Sequence, residues 1–228
     1  NFDWGHSGYS VGSLAPVSLL GENLVLSVVD TIVSIVGKSR VKPTPTPRGA
    51  SYKTHRNARK LDKWLYGEFT RLKIYRLLLQ LLTDGLVFGY GALRVDCEDG
   101  KLTARRVFPD DFIVDQAESV STYGVKHVYE RRCRPVEEVE QEYGLKQGTL
   151  TGEDLWLSYR RPGRGWVVVV EGYRPACGGL PGRHVVATDQ ALLLDEVWKE
   201  EHTPYLTFHP HQPLSGFYGP SIVERVLP

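Results

Sequence analysis

Between Leu77 and Asp115 an apolar run passes into a glycine hinge and the hinge into a hairpin, and this succession limits the folds open to the chain. Leu77, Leu78, Leu79, Leu81, Leu82, Leu86 and Val87 are too rich in Leu for a surface strand, and they continue a helical pattern that begins near Leu61. A buried helix is expected. Gly85, Gly89 and Gly91 weaken a helix but permit tight turns and close backbone approach, so the helix should stop there. Ala92-Leu93-Arg94-Val95-Asp96 alternates apolar and polar side chains, Asp99-Gly100 is a hairpin turn signal, and Leu102 to Val107 alternates again. Phe108-Pro109-Asp110-Asp111 then turns the chain into Phe112 to Val114. No nucleophile and base stand at a spacing that suggests a reaction, so the unit reads as a scaffold.

The flanks fit around this unit. Residues 1–22 set Phe2, Trp4 and Tyr9 among glycines with no helical or strand period, as in an arm that orders against a neighbour. Asn23 to Val36 reads as a helix, with Leu24, Val28 and Ile32 on one line, Val25, Val29 and Val33 on the next, and Gly37 at its end. Gly37-Lys38-Ser39 is not a phosphate loop, because that pattern needs a Gly where Ile32 stands and a strand before it. Pro43, Pro45 and Pro47 make an extended spacer. Thr54 is placed as the cap of one long second helix, whose apolar positions Leu61, Leu65, Phe69, Leu72, Tyr75, Leu79, Leu82 and Leu86 step by three or four.

Beyond the hairpin, Val125 to Arg131 reads as a strand, and Pro135 opens a short acidic helix, Val136 to Tyr143, that Gly144 closes. Trp156 to Tyr159, a turn at Pro162 to Gly165, and Trp166 to Val170 read as a second hairpin. His184 to Ala187, Ala191 to Leu194 and Tyr205 to Phe208 add strands, beside which Trp156, Trp166 and Trp198 take ordinary core roles. Ser221 to Leu227 reads as the first turns of a helix cut off at Pro228. A helical N-terminal half followed by short-stranded antiparallel sheets predicts an α+β fold. Its expected divisions are an arm over 1–22, a domain over 23–220 and a helix start over 221–228.

Overall charge says little, at +1 over 228 residues, but its distribution says more. Lys38 to Arg76 holds twelve Lys or Arg against Asp62 and Glu68, a balance of +10, which leaves −9 for the rest of the chain. Lys53, Arg56, Arg59, Lys60 and Lys63 crowd the N-terminal part of the second helix, where positive charge opposes the helix dipole. They are candidate contacts to an acidic neighbour or phosphate; a solvated helix face is the blander and more frequent role of such residues. Cys97, Cys133 and Cys177 are odd in number and contain no C-x-x-C, which argues for a reducing compartment and against a disulfide framework or zinc knuckle. No membrane span or secretory leader is expected, since no apolar run reaches about 18 residues and no charged region leads into one. Met is absent altogether, and the sequence is expected to be a fragment.

Two clusters invite metal readings. His202, His209 and His211 form an H-x-H group, but no acidic or Cys partner has matching spacing, and the flanking Pro204, Pro210 and Pro213 favour a turn. Asp110, Asp111 and Asp115 suit a divalent ion of a nuclease, although turn formation explains Asp110 and Asp111 equally well. From the residues alone, neither a catalytic set nor a cofactor is expected.

Several segments, taken in order, resemble the portal (head-to-tail connector) proteins of tailed double-stranded DNA bacteriophages. They are Asn23-Leu24-Val25-Leu26-Ser27-Val28-Val29-Asp30, Arg59-Lys60-Leu61-Asp62-Lys63-Trp64-Leu65, Val87-Phe88-Gly89-Tyr90-Gly91-Ala92-Leu93-Arg94-Val95 and Arg106-Val107-Phe108-Pro109-Asp110-Asp111. Pro181-Gly182-Arg183-His184-Val185-Val186 and Gly216-Phe217-Tyr218-Gly219-Pro220-Ser221 extend the match. No single segment is specific; their order is. The resemblance implies a homo-oligomeric ring, typically a dodecamer, at one capsid vertex, with double-stranded DNA packaged and ejected through it. Its implied partners are the major capsid protein, the terminase and then neck or tail adaptors, and its implied location is the virion, with host cytoplasm during assembly. The residues look like the peripheral wing, with the helix from Ser221 leading toward a stem. The family's stem, clip and crown have no counterpart here. Two other classes compete: a metal-dependent nucleic-acid enzyme using Asp110, Asp111 and Asp115, and a monomeric nucleic-acid-binding module using the basic helix.

Overall fold

In the computed structural model, residues 24–49, 51–98, 100–120, 125–152, 165–213 and 215–226 are described. Helices α1 (Leu24–Gly37), α2 (Tyr52–Arg71) and α3 (Ile74–Phe88) come first. They lead into β1 (Gly91–Glu98) and β2 (Lys101–Val107), a single 3-10 turn at Pro109–Asp111, β3 (Phe112–Val114) and α4 (Gln116–Ser119). Then follow β4 (Val128–Pro135), α5 (Val136–Glu142), β5 (Trp166–Arg174), β6 (Arg183–Ala187), β7 (Leu192–Glu196), β8 (Tyr205–Phe208) and α6 (Ile222–Val226). The fold is α+β, with the long helices in the N-terminal half and two antiparallel sheets, ordered β2-β1-β8 and β3-β4-β5-β6-β7.

Local chemistry explains the central unit. Gly89 caps α3 in the left-handed region at φ 82°, and a Cβ there would lie 1.9 Å from the Gly219 carbonyl oxygen, so this crossing of two backbones requires glycine. The hairpin runs in register from Ala92 opposite Val107 to Glu98 opposite Lys101. Arg106 pins α3 to β2 by donating two hydrogen bonds to the buried Asp84 carboxylate. Tyr90, Ala92, Val107, Phe112, Val114, Val128, Tyr173 and Tyr205 form one core where the sheets meet, and Val139, Leu150, Val167, Val169 and Val186 form a second beneath α5.

Several expectations need correction. The second helix is two: Lys73 takes φ 52°, in the left-handed region, and ends α2 before α3 begins. The apolar steps run across this break because a two-residue turn, Leu72 and Lys73, with no Gly or Pro to mark it, leaves helical spacing intact on either side. Thr54 is not the cap; Ser51 occupies that position, and Thr54 Oγ1 donates to the Ser51 carbonyl at 2.9 Å from inside the first turn. The strand expected from Val125 begins at Val128 and runs to Pro135. Trp166 to Val170 belongs to β5, whose neighbours are β4 and β6, while the expected strand at 156–159, most of its turn and the arm at 1–22 lie outside the described residues.

Candidate interaction surface

At 100° per residue, Lys53, Arg56, Arg59, Lys60 and Lys63 fall within an arc of about 120° on α2. The half-buried residues Ala58, Asp62, Leu65, Glu68 and Phe69 occupy the opposite side, and no residue of α2 is fully buried. The five cations are exposed, and none has an acidic partner among the described residues. Trp64, 50% exposed, edges this face on one side, and Tyr66 edges it on the other. The helix is anchored on its inner side and at its end. Lys42 of the proline spacer, which Tyr75 of α3 holds through the Val41 carbonyl, donates to Asp62 at 3.0 Å, and Arg71 reaches the Leu102 carbonyl of β2 at 2.6 Å. All five sequence candidates therefore stand together on one outward face. Such a face can attract a polyanion or an acidic protein surface.

A second charged assembly lies inside, and sequence reading missed it. Arg94 of β1 donates to both oxygens of Glu171 on β5, at 2.5 and 2.9 Å, to Asp96 at 2.7 Å and to Glu130 of β4 at 3.3 Å. Arg105 of β2 holds Glu130 from the other side, and Arg132 donates to Glu171. Tyr205 donates to Glu130 at 2.9 Å and Tyr173 to Glu171 at 2.5 Å. His184 lies between Glu171, at 3.1 Å, and Glu196, at 2.8 Å, with its ring stacked on Tyr173. Burial by itself would raise the Glu171 carboxyl, but its bonds to His184 and Arg94 and the Arg94 charge hold it far below the usual carboxylate range. Burial pulls the His184 imidazole down, and its two carboxylate partners outweigh that and leave it raised. With His184 protonated, four cations face four carboxylates across the seam of the two sheets. The available signal was alternation: Val128 and Glu130, like Val169, Glu171 and Tyr173, share inward positions, and a charge in such a row needs a buried partner.

A third feature is the aromatic junction at Tyr90. Its hydroxyl donates to the Pro109 carbonyl, and its ring meets Phe217 and Tyr218 at 5.3 and 5.2 Å. Phe88 and Phe108 pack edge to face beside it at 5.7 Å. An open groove of about 650 Å³, lined by Phe88, Tyr90, Phe112, Ile113 and Tyr218 together with Asp110, runs along this junction. Next to it α6 begins with a reciprocal cap, Glu224 N–H donating to Ser221 Oγ at 3.0 Å and Ser221 N–H to Glu224 Oε2 at 3.1 Å.

The suspected metal clusters are engaged otherwise. Asp115 caps α4 by accepting from Ala117 and Glu118 N–H groups, and Arg131 lies 3.1 Å from Asp110 and 3.9 Å from Asp111. His209 packs against Tyr90 and Phe217, the His202 carbonyl accepts from Trp198, and His211 lies beyond the end of β8. Among the described residues no group of three His, Cys, Asp or Glu comes together as a metal site, and no helix is long and apolar enough to cross a membrane. No family model matches the chain, and no curated protein does.

Proposed function

We propose that the chain is a structural portal subunit of a tailed double-stranded DNA phage, forming the ring at one capsid vertex through which DNA is packaged and ejected. The observation that carries this reading is the meeting of three of the resembling segments at Tyr90. The segments around Gly89 and Phe108, which the β1–β2 hairpin brings back together, and the distant segment around Phe217 share one junction of ring contacts, a backbone crossing and a hydroxyl bond. On this reading the sheets and helices are the wing, α6 leaves toward the stem, and terminase, capsid, neck and tail proteins are the partners. A total charge of +1 also suits a conduit, since many strong phosphate contacts would resist DNA movement.

The test is the mass and symmetry of the full-length protein by mass photometry and negative-stain imaging. A closed ring with a central channel, near twelve subunits, is the expected result. A stable monomer that cuts DNA with a divalent metal, and loses that activity in Asp111→Ala, would replace the portal reading with the enzyme reading.

A further inference from the structure

We infer that the outer face of α2 docks on the acidic turn between β7 and β8 of the next copy, a head-to-tail contact that closes the ring; this rests on the ring reading above. The turn is well built. Trp198 is held by the rings of Tyr173, at 4.8 Å, and His184, at 5.9 Å, and it donates from its backbone to Gly182 and from its indole to His202. That anchoring leaves Glu200 and Glu201 exposed beside Glu196, against the single cation Lys199, and neither Glu200 nor Glu201 has a cationic partner among the described residues. Val197, 61% exposed, gives the turn an apolar contact, as Trp64 and Tyr66 do on α2.

Topology keeps the two surfaces from satisfying each other within one chain. Arg71 at the end of α2 bonds the outer strand β2, whereas the acidic turn leads into β8, on the opposite edge of the same β2-β1-β8 sheet. Two different, complementary patches that do not pair within one chain define a heterologous contact, which closes into a ring when its rotation permits. The charge balance favours a second copy over nucleic acid as the occupant. A chain with +10 between Lys38 and Arg76 and −9 elsewhere carries its own counter-surface, whereas a polyanion partner would leave the acidic turn without a role.

The experiment compares full-length wild type, a basic-side reversal (Arg59→Glu, Lys60→Glu, Lys63→Glu) and an acid-side reversal (Glu200→Lys, Glu201→Lys), each checked for native far-UV circular dichroism. Assembly is followed by sedimentation at low and high salt. Each reversal alone should weaken assembly, on the order of a hundredfold in the midpoint concentration. Mixing the two reversed proteins should restore rings, because every contact in an alternating ring again joins opposite charges. Rings that form normally from both single reversals would overturn this contact and leave the ring reading standing. Intact rings with loss of duplex DNA binding in the basic-side reversal would assign the α2 face to nucleic acid instead. A wild type that stays monomeric at every concentration would remove the ring reading and this contact with it.

Discussion

In the sheet seam each of three arginines is matched to carboxylates, whereas on the outer face of α2 five exposed cations have none among the described residues. The difference is one of environment. A guanidinium taken out of water loses several kcal/mol of hydration, so Arg94 persists inside only because Glu171, Asp96 and Glu130 surround it. On α2 hydration is kept, and the charges contribute little to folding. Charge that stabilises the fold and charge left facing solvent are thus kept apart in space.

Removing a seam cation should break this contrast most severely. Arg94→Met is expected to lower the unfolding free energy by about 3–5 kcal/mol, whereas Arg59→Met should change it by less than about 0.5 kcal/mol. Urea denaturation of both variants measures this, and equal losses would erase the distinction. The next effect is on pH dependence. Because the folded state raises the His184 pKa above its ordinary 6.5, its contribution to stability is complete below that value and is lost as pH rises through the raised native one. Thermal melts between about pH 5 and about pH 9 should show this decline in wild type and a flatter profile in His184→Gln; identical slopes would show that the imidazole stays neutral in the seam. The smallest effect sharpens the comparison at its boundary. Lys73→Gly removes a side chain from a left-handed backbone and should stabilise the fold by about 0.5–1 kcal/mol, read as a shift in urea midpoint.

What was legible in the sequence followed from local chemistry. The turn before Lys101, the Gly89 stop and Pro135 act within a few residues, and the β1–β2 hairpin, the end of α3 and the start of α5 fall where they were expected. The basic face was legible in part, because five cations at helical spacing must share a side. The α2 and α3 break was hidden, since Lys73 carries no signature of a left-handed turn. The seam was hidden for another reason: Arg94 and Glu171 meet across 77 residues, and only the pairing of separate sheets brings them together. The acidic residues of the β7 to β8 turn are plain in the sequence, but their place opposite α2 depends on strand order.

The seam between the sheets also has a mechanical consequence. An apolar seam is held in register by the fit of its side chains, and buried charge adds a directional constraint to that fit. Here Arg94 from one sheet is keyed between Glu171 and Glu130 of the other, with Tyr205 and Tyr173 closing the remaining acceptors. Any slip would pull charges apart where water cannot replace the lost partners. The seam therefore behaves as an interlock: the two sheets, pushed sideways, transmit the load as one rigid piece.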